Sequence, residues 1–158
     1  MDNLHQQLFD AARTGDIDTV QTLLAQNLNV NMQDARGFTP LILASYNNQS
    51  EVVKLLLRAG ADVNLPDGGG NTALMGVCFK GYPEIAELLI AHGADLNRQH
   101  GNGGTALMFA VMFGRNELAG ILMKHKADKH ICDQRGLRAI DLAVQQGNVE
   151  AVDILEAG

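Results

Sequence analysis

The chain has 158 residues and a formal net charge of −6, from 12 Lys+Arg against 18 Asp+Glu. That length suits one domain able to bury a core, and 46% hydrophobic with only 19% charged residues is not the composition of a disordered chain. The acidic balance leaves no basic footprint for nucleic acid, no apolar run approaches the ~18 residues of a membrane span, and the Met1–Gln7 segment lacks the basic and apolar regions of a signal peptide.

Along the chain, one pattern recurs. Thr39, Thr72 and Thr105 are each 33 residues apart, as are Gly37, Gly70, Gly103 and Gly136. Leu41, Leu74, Leu107 and Ile140 share the spacing; Leu23, Leu56, Leu89, Leu122 and Leu155 carry it through five copies, as do Asp18, Glu51, Glu84, Glu117 and Glu150. Such self-similarity marks a stack of repeats. The copies run roughly 1–33, 34–66, 67–99, 100–132 and 133–158.

Within a copy, the second serves as example. Thr39 is a helix cap and Pro40 occupies the first helical position, predicting a short helix over Pro40–Tyr46. Glu51–Arg58 has the apolar stripe of a second helix, in Val52, Val53, Leu55 and Leu56, and Gly60 supplies a left-handed end. Ala61–Asn64 then leads into a hairpin-like loop ending at Gly70. Neither helix can bury its apolar face alone, so neighbouring copies must stack. In the first and last copies Asp10, Thr22, Asp141 and Glu156 stand at otherwise apolar columns. They predict polar caps at both ends of the stack, with no linker or tail.

Asp34 to Gly37 followed by Thr39-Pro40-Leu41-Ile42, with Gly60-Ala61-Asp62-Val63-Asn64 and again Gly93-Ala94-Asp95-Leu96-Asn97, resembles the ankyrin repeat family over nearly the whole chain. The resemblance implies an all-α solenoid of stacked helix-turn-helix units joined by hairpin-like loops. Two departures stand out. The family's His of Thr-Pro-Leu-His is here Ile42, Met75, Met108 and Asp141, so packing is expected to replace its hydrogen bonds. The Pro becomes Ala73, Ala106 and Ala139.

By resemblance, a concave surface of loop tips and first helices binds protein partners. By phase it carries Arg36, Phe38, Tyr46, Phe79, Lys80, Met112, Phe113, Arg135 and Leu137. Four of the chain's seven aromatic residues fall on these columns, and an exposed apolar strip is the kind of surface that partners use. The alternative is that some rings tuck between adjacent first helices. Gly76 interrupts a column otherwise held by Leu43, Phe109 and Leu142; that column is expected to face the core, with the Phe109 ring leaning into the space above Gly76.

Half of the 12 basic residues, Arg115, Lys124, Lys126, Lys129, Arg135 and Arg138, lie within 24 positions. They read either as a site for an acidic partner or as a solvated face in which Glu117, Asp128 and Asp133 are interspersed. His92 and His125 share a column before a helix end, where an imidazole can meet the last carbonyls. His125, His130 and Cys132 lack the spacing of metal ligands. The glycines at 68–70 lack the Lys-Ser/Thr ending of a phosphate loop. Cys78 reads as a buried apolar residue and Cys132 as an exposed one. Two cysteines are too few for a disulfide scaffold, so reduced thiols in the cytoplasm are expected. No catalytic set converges and no cofactor or metal is implied. The expected function is a non-catalytic interaction module, monomeric when free, that acts on one protein as inhibitor or adaptor; the alternative is an assembly subunit of a larger complex.

Overall fold

The computed structural model describes residues 2–158. Among them are ten helices and no strand: α1 (Asn3–Thr14), α2 (Ile17–Leu24), α3 (Pro40–Tyr46), α4 (Ser50–Arg58), α5 (Ala73–Lys80), α6 (Pro83–Ala91), α7 (Ala106–Met112), α8 (Asn116–Lys124), α9 (Ala139–Gln145) and α10 (Val149–Ala157). Consecutive helices pair, the odd-numbered helices pack on one another in order, and the even-numbered ones form a second layer behind them. This is a helical solenoid.

The periodic threonines start the inner first helices. The Thr39, Thr72 and Thr105 hydroxyls accept from the backbone N–H of Ile42, Met75 and Met108 at 3.0, 3.3 and 3.3 Å. All three threonines are buried, where an unmet N–H at a helix start is costly. The column that follows is capped further. Met75 brings its Sδ to 3.4 Å from the Thr72 N–H, and the Asp141 carboxylate accepts from the Arg138 N–H at 2.8 Å. Packing is therefore not the whole replacement for the family's histidine: a thioether and a carboxylate take backbone hydrogen bonds at that position.

The core lies between the two layers. Leu41, Leu74 and Leu107 from the first helices meet Leu56, Leu89 and Leu122 from the second, all at most 1% exposed. Each such leucine contributes roughly 1.5–3 kcal/mol by leaving water. The apolar columns repeat because each copy buries the same positions against both neighbours.

The loops are tight turns that touch the next copy. Gly68 N–H donates to Arg36 O at 2.9 Å and Gly101 N–H to Gly69 O at 3.0 Å. Gly37 has φ +83° and a Cβ there would stand 2.6 Å from Gly68 N, so both the left-handed turn and the close approach demand glycine. A second staple uses the Asn of Gly-Ala-Asp-Val-Asn: Asn31, Asn64 and Asn97 side chains accept from the N–H of Asp62, Asp95 and Asp128 at 2.7, 2.7 and 2.8 Å.

At the C-terminal end the apolar pattern outlasts the stack. Val144 is 64% exposed, whereas its counterparts Val111, Cys78, Ser45 and Ala12 are fully buried. Val149 beside it is 70% exposed. Asp141 and Glu156 do make that end more polar, but the column that would meet a following copy remains apolar.

Candidate functional site

Tyr46, Phe79 and Phe113 lie at the C-terminal ends of α3, α5 and α7, on the face formed by first helices and loop tips. The Tyr46 and Phe79 rings are nearly parallel, at 8° with centroids 6.1 Å apart. Phe79 meets Phe113 edge-on at 4.5 Å and 75°. Phe109 lies 6.4 Å from Phe113, and the His100 imidazole 5.1 Å from Phe109. Five rings thus form one continuous chain across the middle of the stack. Lys80 places Nζ 5.1 Å over the Tyr46 ring, a cation–π contact.

Tyr46 and Phe113 are 41% and 43% exposed, and Met112 is exposed beside them. Phe79 and Lys80 are half-buried. Phe38 and Leu137 are also half-buried, and both pack against the core. Arg36 and Arg135 are exposed at loop tips. Of the two readings of the aromatic columns, the rings do pack on one another along this face, yet several keep a large open surface.

The Arg135 guanidinium is held by the Asp133 carboxylate at 2.9 Å. Burial pushes the Asp133 carboxyl up, but the N–H groups of Leu137 and Arg135 and the Arg135 guanidinium together hold it below the usual range. Arg36 is fixed only through its backbone; among the described residues its guanidinium has no ion-pair or hydrogen-bond partner.

Two cavities open on this face. One of about 500 Å³ lies among Phe38, Ile42, Tyr46, Met75, Gly76 and Phe79, under Arg36. The other, about 440 Å³, is lined by His100, Met112, Phe113 and Arg135. Phe109 borders both and is the wall between them. The expected packing of Phe109 over Gly76 is not found. A Cβ at Gly76 would have only the Tyr46 ring within 4 Å, its Cδ1 at 3.3 Å, while the Phe109 ring sits against His100 and Phe113. The column faces the groove: Leu43 and Phe109 are half-buried, and only Leu142, at the last level, is fully buried.

The basic cluster largely dissolves on inspection. Arg115 donates to Phe79 O at 3.1 Å, Lys129 to the carbonyls of Leu155 and Gly158 at 2.7 and 2.8 Å, Arg135 pairs with Asp133 and Arg138 with Asp141. Four of the six serve internal contacts, so they are not a free patch for an acidic partner. Their period-breaking positions gave no sign of this; only the fold brings Arg115 to the end of α5. His92 Nδ1 does meet its helix carbonyl, Leu88 O, at 2.9 Å, but His125 Nε2 instead pairs with Glu87 of the preceding copy at 3.2 Å. His100 occupies the loop column held elsewhere by Asp34, Asp67 and Asp133. Its Nδ1 lies 3.3 Å from the Asn102 N–H, where each aspartate accepts two backbone N–H groups.

Among the described residues no group of three or more His, Cys, Asp or Glu is placed to hold a metal ion, and no helix is long and apolar enough to cross a membrane. Cys78 is fully buried, which drives its thiol pKa far up, and Cys132 is exposed; both are free.

Paired helices stacked in two layers, capped by periodic threonines and stapled through their loops, define a solenoid of the ankyrin type. The family model described as ankyrin repeats (3 copies) matches residues 8–100 and 92–158, and the chain belongs to the ankyrin repeat family. Such repeats generally mediate protein–protein interactions and are typically non-catalytic. No curated protein matches the chain.

Proposed function

We propose that this chain is a non-catalytic binding module that holds one protein partner on the concave face made by its first helices and loop tips, and that it acts as an inhibitor or adaptor. The observation that carries the reading is the unbroken run of rings from Tyr46 through Phe79 and Phe113 to Phe109, with Arg36, Phe38, Lys80, Met112, Arg135 and Leu137 around it. Rigid aromatic side chains give contact area at low entropic cost and dominate interface energetics. Two free thiols, one of them exposed, suit a reducing compartment such as the cytoplasm.

The test is capture from native lysate by wild type and by the Phe79→Ala/Phe113→Ala variant, with urea unfolding of both. Specific retention by wild type, lost in a variant of near-normal stability, supports the reading. A variant that melts far earlier yet still captures the same protein assigns the rings to structure and refutes it. A second reading, an assembly subunit, rests on the exposed Val144 and Val149 at the end of the stack. It predicts a partner whose capture depends on Val144 and not on Phe79 or Phe113.

A further inference from the structure

The cavity beneath Tyr46 exists because one side chain is missing. Gly76 lies within α5, has ordinary helical backbone, and so is not required there by conformation. Its counterparts Leu43 and Phe109 put a bulky side chain along the groove, and Leu142 holds the same column in the last copy. At Gly76 the groove instead holds a notch, floored by Met75 and Ile42 and walled by the Tyr46, Phe79 and Phe109 rings.

The charges near its mouth leave two cations against one carboxylate, none of them in an ion pair among the described residues. Arg36 has no side-chain partner among the described residues, and Lys80 has only the Tyr46 ring beneath it. The single carboxylate that lines the notch, Asp67, spends Oδ1 on the N–H groups of Gly69 and Asn71, both at 2.9 Å. It is a turn-forming acceptor through that oxygen and keeps its negative charge. Arg36 thus lines the apolar hole, and Lys80 stands beside it over the Tyr46 ring that forms one wall.

We propose that the Gly76 notch is an anchor site for an acidic partner segment. One bulky apolar side chain, of leucine, methionine or phenylalanine size, enters at Gly76, and a carboxylate nearby in the same segment pairs with Arg36 or Lys80. The apolar anchor carries affinity by desolvation in a well-walled pocket. The charge pairs set orientation and partner choice. This assignment rests on the concave-face reading above and narrows it from a protein partner to the chemistry of one segment.

Random linear peptides displayed on phage and selected on the full chain provide the test, with binding of the selected sequences then measured by fluorescence anisotropy. The selected peptides are expected to share a large apolar residue next to Asp or Glu. Gly76→Leu, which fills the notch with the residue found at positions 43 and 142, should weaken them roughly tenfold or more, a step of about 1.4 kcal/mol. Arg36→Glu with Lys80→Glu should weaken them comparably and remove most of the salt dependence. This charge pair keeps the test decisive should Gly76→Leu fold poorly. Peptides that bind equally well to Gly76→Leu, or that share no acidic residue, overturn the assignment. So does a selection that yields no groove binder, since a linear segment is what the notch is argued to take. In each of those cases loss of lysate capture by Phe79→Ala/Phe113→Ala still upholds the concave-face reading, so the two can fail separately.

Discussion

Gly76→Ala adds a single methyl group to the interior of α5, and its effect can be worked from two opposing terms. Replacing a mid-helix glycine by alanine gains about 1 kcal/mol through backbone entropy. Against this, the new Cβ would stand 3.3 Å from Tyr46 Cδ1 with nothing else within 4 Å. That distance is tight, so the ring must retreat by a few tenths of an ångström. Tyr46 is 41% exposed, and its restraints are the parallel Phe79 ring and the Lys80 ammonium. An aromatic pair is worth ~0.5–1.5 kcal/mol, and a shift this small forfeits only part of it. The net expectation is a stabilisation of about 0.5–1 kcal/mol, seen as a higher urea midpoint at unchanged slope.

The Tyr46→Ala background separates the terms. With the ring gone, Gly76→Ala should gain the full helix-propensity amount, so the two sites couple by a few tenths of a kcal/mol. Phe109→Ala, by contrast, should leave the effect of Gly76→Ala unchanged, because the Phe109 ring is turned toward His100 and Phe113. Urea unfolding followed by circular dichroism measures both cycles. A destabilising Gly76→Ala that persists without the Tyr46 ring, or a coupling to Phe109 in place of Tyr46, refutes this description of the notch.

Ser45 Oγ is buried without a hydrogen-bond partner, while its column holds Ala12 and Cys78 in the neighbouring copies; Ser45→Ala should therefore stabilise by about 1 kcal/mol, and a loss on urea unfolding would show that the hydroxyl has a partner. A thiol reagent should label Cys132 alone in the folded protein and Cys78 only after denaturant is added, because burial disfavours the Cys78 thiolate; comparable labelling of both in native buffer would contradict the packing. For pH dependence, the Thr19 hydroxyl and N–H lower the Asp16 carboxyl, the Arg138 N–H and side chain lower Asp141, and the hydrogen bonds to Asp133 outweigh its desolvation. Folded values below the ordinary 3.8 mean that the stabilisation is fully present above that value and lost as pH falls through the lower, folded ones; the urea midpoint should stay flat down to about pH 5 and drop below it. Asp141→Asn should shrink that acid drop, and an unchanged profile would remove Asp141 from the account.

The repeat itself was readable because a solenoid buries equivalent positions in every copy, so Leu23, Leu56, Leu89, Leu122 and Leu155 report the same environment five times. The threonine caps were readable for a related reason: a local hydrogen bond from residue i to i+3 needs no knowledge of the tertiary structure. Phase also placed Tyr46, Phe79 and Phe113 on one face. Phase does not say which side of a short helix a column faces, and there the reading failed at Gly76: its column, assigned to the core, opens on the groove at Leu43, Gly76 and Phe109 and is buried only at Leu142, and the Phe109 ring meets His100 in place of packing over Gly76. Nor does a period announce where long side chains reach. Arg115 and Lys129 bond backbone carbonyls 36 and 26 residues away, so a cluster of cations in sequence became a set of struts in space.

Those struts bear on why the aromatic face can serve as a site at all. The first helices that carry the rings span only seven or eight residues in α3, α5 and α7, too short to hold their ends unaided. In α5 and α7 a carbonyl near the end is taken up by the following copy: Arg115 donates to Phe79 O at 3.1 Å and Gln146 to Met112 O at 2.8 Å. Phe79 and Met112 are thus each fixed at the backbone by a side chain about one repeat further on. Ordering that would otherwise have to accompany partner binding is already present in the free protein, which lowers the entropic cost of association. It follows that the proposed binding face is a property of the stack and not of any single repeat. Removing the copy that carries Arg115 would loosen Phe79 on the copy before it, although every ring of the strip outside that copy remained in the chain.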